Sequence, residues 1–157
     1  MTDTGALQVT TPTEREIAVT RVFDAPRQRI FDALTRPELI RRWMFGPDGW
    51  SLPVCESDLR VGGALRFVWR DPNMEMGMSG SYREVAPPGR LVHTELFDED
   101  WTGGETVVTT VLTEQDGRTT LTSTILYASR EARDAVLETP MTQGMATSYD
   151  RLAALLA

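Results

Sequence analysis

Apolar and polar residues alternate over several stretches of this chain and follow a helical spacing over two others. Residues 16–23, Glu-Ile-Ala-Val-Thr-Arg-Val-Phe, put Ile17, Val19 and Phe23 on one face of a strand. Asp24-Ala25-Pro26 then reads as a helix start, with Asp24 as the expected N-cap and Pro26 in the first turn. Ile30, Phe31, Ala33 and Leu34 recur at helical spacing, and Pro37 ends that helix and begins a short second one carrying Leu39, Ile40 and Trp43. From residue 51 to about 127 the pattern is that of strands. The segments 51–56, 65–70, 78–85, 90–97, 106–114 and 118–127 are separated by turn residues such as Pro87-Pro88-Gly89 and Asp116-Gly117. Ser129 is placed to cap a C-terminal helix that Pro140 interrupts. Beyond Pro140, Met141, Met145, Tyr149, Leu152, Leu155 and Leu156 form one apolar stripe.

This order of strand, two short helices, about six strands and a long C-terminal helix predicts an α+β fold with a curved antiparallel sheet of six or seven strands. The helix is the element long enough to cover the apolar face of that sheet. Residues 1–13 are polar and rich in Thr, Gly and Pro, and are expected to be a flexible tail; residues 14–157 are expected to form a single domain. A wedge between sheet and helix is a natural place for a pocket.

Several blocks of residues resemble the activator-of-Hsp90-ATPase-like family of the START-like, SRPBCC or helix-grip superfamily. They are Arg21-x-Phe23-Asp24-Ala25-Pro26 with Phe31-x-Ala33-Leu34-Thr35; Arg42-Trp43-x-x-Gly46-Pro47; Asp58-Leu59-Arg60-x-Gly62-Gly63; Gly80-x-Tyr82-x-Glu84-Val85-x-Pro87-Pro88-x-Arg90-Leu91-Val92; Gly117-x-Thr119-x-Leu121; and Gly144-Met145-x-x-x-Tyr149-x-x-Leu152. The resemblance implies a helix-grip fold over residues 16–156, with a hydrophobic cavity between sheet and C-terminal helix. It implies binding of an apolar or amphipathic small molecule. Its alternatives are a polyketide cyclase or dehydratase activity and a chaperone-related protein-interaction role.

Composition narrows the chemistry. All 16 cationic side chains are arginine, so lysine-dependent Schiff-base, pyridoxal and Walker-type phosphate chemistry is excluded. One His and one Cys cannot build a conventional Cys/His zinc site, and neither a metal nor a cofactor is expected. A net charge of -7 without a basic stripe argues against nucleic acid as a partner. No run of residues is long and apolar enough for a membrane span, and a lone Cys without a leader-like N-terminus points to the cytoplasm. The partner expected is a small apolar ligand, with a homodimer left open.

The candidate cavity lining is Trp43, Trp69, Met78, Tyr82, His93, Trp101, Met141, Met145 and Tyr149; the competing reading of the same residues is ordinary core. Glu84, Glu95 and His93 are the acid–base candidates because they lie within strands. The alternative for both glutamates is a solvent-facing charge, and for Glu84 also a structural pairing with an arginine such as Arg60 or Arg66. Cys55 is read as structural. Met74, Met76 and Met78 alternate at strand spacing, as a soft-metal site, a lip at the cavity mouth or a loop entering a strand. Glu95, Asp98, Glu99, Asp100 and Glu105 surround Trp101 in what reads as a solvated hairpin tip, with Trp101 over the cavity mouth or at a subunit contact.

Overall fold

The computed structural model describes residues 6–157. Its elements are β1 (Gln8–Thr10), β2 (Glu16–Phe23), α1 (Arg27–Thr35), α2 (Pro37–Ile40), β3 (Ser51–Ser57), β4 (Ala64–Arg70), β5 (Glu75–Ala86), β6 (Arg90–Phe97), β7 (Thr106–Gln115), β8 (Arg118–Leu126), α3 (Arg130–Leu137) and α4 (Met141–Leu156). All eight strands join one sheet in the order β1-β2-β8-β7-β6-β5-β4-β3, with every pairing antiparallel. The sheet is curved and the C-terminal helix covers it, as in a helix-grip fold.

One strand more is present than the pattern predicts. Gln8–Thr10 lies in the expected tail, yet it pairs with β2 through Val9 and Val19. Three residues of a Thr-rich stretch carry too little alternation to announce a strand; an available edge recruits them. Residues 1–5 of that tail lie outside the described residues. The start of α1 also differs. Pro26, not Asp24, is the cap residue, and it makes no side-chain cap bond. The Arg27 N–H instead donates to Glu114 Oε1 of β7 at 2.8 Å, while Asp24 faces Arg118 at 3.7 Å. A carboxylate from a neighbouring strand thus supplies the negative charge that a helix N-terminus favours. Ser129 caps α3 as expected, with its hydroxyl accepting from Ala132 N at 3.0 Å. Asp116 and Gly117 take φ of 55° and 78° in the β7–β8 hairpin, the left-handed pair that a two-residue turn requires.

Register defines the inner face of the sheet. Side chains of directly paired residues share a face. One row therefore runs Ile17, Ile125, Val108, His93, Tyr82, and another runs Phe97, Met78, Phe67, Cys55. Most members of these rows are buried, so this is the face beneath the helices. Helix α4 buries Tyr149, Leu152 and Leu156 from its C-terminal half. Three arginines anchor that half, one of them Arg29 on α1, which donates to Leu156 O at 3.0 Å. Arg21 on β2 donates to Asp150 Oδ1 at 2.7 Å, and Arg151 donates to Gly46 O at 2.5 Å and to Asp48 Oδ1 at 2.9 Å while lying over the Phe45 ring. The N-terminal half, with Met141 and Met145, is only half-buried.

Candidate functional site

The buried core is not continuous. One cluster holds Phe23, Trp43, Phe67, Met78, Tyr82, Tyr149 and Leu152 among others. A second holds Ile17, Val108, Ile125, Tyr127 and Val136, with Met141 packed against it. His93 sits on the boundary, because its neighbours across the strands are Tyr82 of the first cluster and Val108 of the second. Glu95 follows two residues later on the same face of β6, opposite buried Thr106. His93 Nε2 and Glu95 Oε2 are 2.9 Å apart. Their side chains keep 16% and 27% exposure, although both point to the helix-covered face. The charge of Glu95 reaches both clusters. Burial pushes the Tyr149 and Tyr127 hydroxyls well above their ordinary range, and the Glu95 carboxylate adds to each shift.

Aromatic side chains frame this polar seam. The Tyr82 ring meets His93 edge-on at 6.3 Å, and its hydroxyl is 2.6 Å from Ser57 Oγ. Burial raises the Tyr82 pKa, and the Ser57 bond opposes that rise. Trp69 stacks on Phe97 at 6.3 Å, packs edge-on to Phe67 at 5.8 Å and donates its indole N–H to Met44 O at 2.9 Å. Phe97 also meets Trp101 at 5.2 Å. Trp69, Phe97 and Met145 are only partly buried against the first cluster.

Other expected site residues lie elsewhere. Trp43 stacks on Tyr149 at 5.9 Å and donates to Ala33 O at 2.9 Å. Tyr149 in turn meets Phe23 edge-on at 6.0 Å. Both are interlocked in the packing between α1, α2 and α4. Met78 is fully buried. Met141 receives a contact from the Tyr127 hydroxyl at 3.6 Å. Glu84 leaves the inner face altogether. A register shift between Tyr82 and Glu84 moves Val85 inward, opposite Leu91. Such a bulge flips every later side chain to the other side. Glu84 is therefore 45% exposed and pairs with Arg90 at 2.5 Å, rather than with Arg60 or Arg66. The acidic cluster divides in the same way: Glu95 points inward, while Asp98 receives a bidentate pair from Arg66 at 2.8 Å.

Trp101 is 40% exposed. It lines a surface pocket of about 360 Å³ with Met74, Met76, Glu75, Val68, Gly77 and the Arg66–Asp98 pair. Val68 and Gly77 lie directly opposite each other on the outer side of β4 and β5, so this pocket is separate from the seam. Among the described residues no group of three or more His, Cys, Asp or Glu is arranged to hold a metal ion.

Arg21, Phe97 and Tyr127 are the inner-face residues that the sequence pattern passed over. Arg21 carried a signal, since it continues the spacing of Ile17, Val19 and Phe23 and is 4% exposed. Phe97 continues Leu91, His93 and Glu95 in the same way.

Known structures share this fold. A crystal structure of a Rhodobacter sphaeroides protein is 36% identical, covers 96% of this chain and 97% of its own, and superposes with a TM-score of 0.91. A Nitrosomonas europaea protein is 27% identical over 93% of this chain and 97% of its own, at 0.80. A Mycobacterium smegmatis protein is 26% identical over 96% and 98%, at 0.81. No curated protein sequence matches the chain. The family described as Activator of Hsp90 ATPase homolog 1-like protein matches over residues 24–157, and the chain belongs to that family.

Proposed function

We propose that the protein binds a small amphipathic molecule between the inner face of the sheet and α4. One observation carries this reading: the apolar core divides at the His93–Glu95 pair, and that pair keeps solvent access under a helix whose N-terminal half is only half-buried. A closed core would place apolar side chains there, because a buried ion-forming group without a purpose is costly. The apolar body of the ligand would contact Trp69, Phe97 and Met145, with removal of apolar surface from water as the driving force. The seam would set its orientation. Native mass spectrometry and thermal shift against a library of apolar and amphipathic compounds test the reading. A binder raises Tm as ligand concentration passes Kd. Absence of any stabilising compound, with Trp69→Ala costing as much as a fully packed tryptophan, would overturn it.

A second reading rests on the His93–Glu95 hydrogen bond itself. A carboxylate that orients an imidazole is an acid–base arrangement, and cyclisation or dehydration of a bound substrate needs proton transfer. In that case a hit is turned over, and His93→Gln lowers kcat more than it changes KM. The family description also names activation of the Hsp90 ATPase; stimulation of that ATPase by the protein, insensitive to Trp69 and His93 substitution, would favour an interaction role on the outer surface.

A further inference from the structure

Nδ1 of His93 is the one buried side-chain nitrogen or oxygen among the described residues that has no hydrogen-bond partner. Buried polar groups are nearly always paired, because an unpaired one loses its bonds to water without replacement. Its ring is otherwise fully specified. Glu95 takes Nε2 at 2.9 Å, and the Tyr82 ring stands edge-on at 6.3 Å. The Tyr82 hydroxyl is directed to Ser57, away from any role toward the imidazole.

The chemistry of this pair fixes what Nδ1 offers. An ionised carboxylate only accepts hydrogen bonds, so Nε2 carries the hydrogen and donates it to Glu95. In the neutral form of the ring, this tautomer holds its lone pair on Nδ1. The electrostatics select the charge of the partner. Glu95 lies on the same face and disfavours an anion. The buried cation of that face, Arg21, is already ion-paired with Asp150. The chain as a whole carries -7.

Resting on the binding reading above, we propose that the ligand's polar end is a neutral hydrogen-bond donor, a phenol or alcohol hydroxyl, delivered to Nδ1 of His93, and that carboxylate lipids are poor ligands. The class is thus an apolar or aromatic body bearing a free hydroxyl. Glu95 acts as a positioning residue that holds the imidazole in the accepting tautomer.

Three matched probes test this by calorimetry or fluorescence: a naphthol, its methyl ether and the corresponding naphthoate. Naphthol is expected to bind on the order of tenfold more tightly than the ether, which lacks the donor, and the naphthoate more weakly than naphthol. His93→Phe, checked for folding by circular dichroism, should erase the preference for naphthol over the ether. His93→Gln, which keeps an acceptor oxygen, should retain part of it. Equal binding of naphthol and ether to the parent protein, or tightest binding of the naphthoate, overturns the proposal while leaving the cavity in place. Failure of all three probes, together with a silent thermal-shift library, overturns the cavity reading and this proposal with it.

Discussion

Arg21 on β2 and Asp150 on α4 form an ion pair, Nη1 to Oδ1 at 2.7 Å, in which the guanidinium is 4% exposed and the carboxylate 65% exposed. The pair joins the inner face of the sheet to the helix from one side only. Arg21 brings the burial, and also lies 5.3 Å from the Phe23 ring centroid. Asp150 supplies a hydrated charge that the helix brings down over the edge of the sheet.

This asymmetry predicts unequal substitutions. Asp150→Ala is expected to lower stability by about 1–2 kcal/mol, since it weakens the compensation of a buried cation while water screens part of the lost attraction. Adding Arg21→Met to that variant should recover part of the loss, because an apolar side chain of similar reach removes the buried charge. Urea denaturation of the single and double variants measures both. If Asp150→Ala changes nothing, the contacts of Arg151 and Arg29 suffice to hold the C-terminal half of α4.

Trp43 and Trp69 should separate core from cavity wall. Trp43 is 2% exposed and enclosed by Tyr149 and α1. Its replacement by Ala is expected to cost ~3–5 kcal/mol. Trp69 is only partly buried and shares its flanks with Phe97 and Phe67. Trp69→Ala should cost clearly less, yet weaken binding of any stabilising ligand. Chemical denaturation paired with a ligand titration checks both; a full core-sized loss for Trp69 with unchanged affinity would assign it to packing.

Gly77 and Gly80 of β5 make opposite predictions from similar crowding. A Cβ on Gly80 would stand 1.8 Å from the Thr94 carbonyl oxygen, a backbone atom of the paired strand. A Cβ on Gly77 would stand 2.2 Å from Asp98 Oδ2 and 2.7 Å from an Arg66 guanidinium nitrogen, both ends of surface side chains. Gly80→Ala must displace a strand and is expected to cost about 2–3 kcal/mol or to prevent folding. Gly77→Ala needs only a rearranged ion pair and should cost less than about 1 kcal/mol. Thermal denaturation of the two variants ranks them; equal losses would contradict the distinction.

The fold was more legible than the site, for a physical reason that particular residues show. Alternation in β7 and β8 and the stripe from Met141 to Leu156 report burial directly, and burial is what builds sheet and helix. His93 and Glu95 were visible as strand residues at positions two apart. Their role at a boundary depends on which apolar cluster lies on each side, which only the pairing with Tyr82 and Val108 determines. The outward position of Glu84 could not be settled from the pattern, because strict alternation from Tyr82 would put it inside, and the bulge that reverses this has no signal of its own in Tyr-Arg-Glu-Val. Arg21 was passed over because its charge masked an inward position that its spacing gave.

Cys55 makes the last prediction, and it concerns pH. The thiol is 5% exposed and lies 3.9 Å from Pro37 O. Burial pushes its pKa from the usual 9.0 up to about 11; nearby Arg41 opposes the shift and Glu38 adds to it. The folded value lies above the unfolded one, so ionisation favours the unfolded chain. The stabilising contribution is therefore complete below pH 9 and declines as pH rises towards about 11, by at most about 2–3 kcal/mol. Tyr127 and Tyr149, whose hydroxyls are also raised by burial, extend the decline to higher pH. Cys55→Ala should remove the early part of the fall and leave the later part, as denaturation midpoints between pH 8 and pH 11 would show. The same burial keeps the thiolate scarce, so the native protein should react with iodoacetamide far more slowly than the unfolded chain at the same pH. Labelling of the native protein at the rate of a free thiol would mean that the packing of α2 against β3 opens readily, and that burial of Cys55 does not hold its ionisation back.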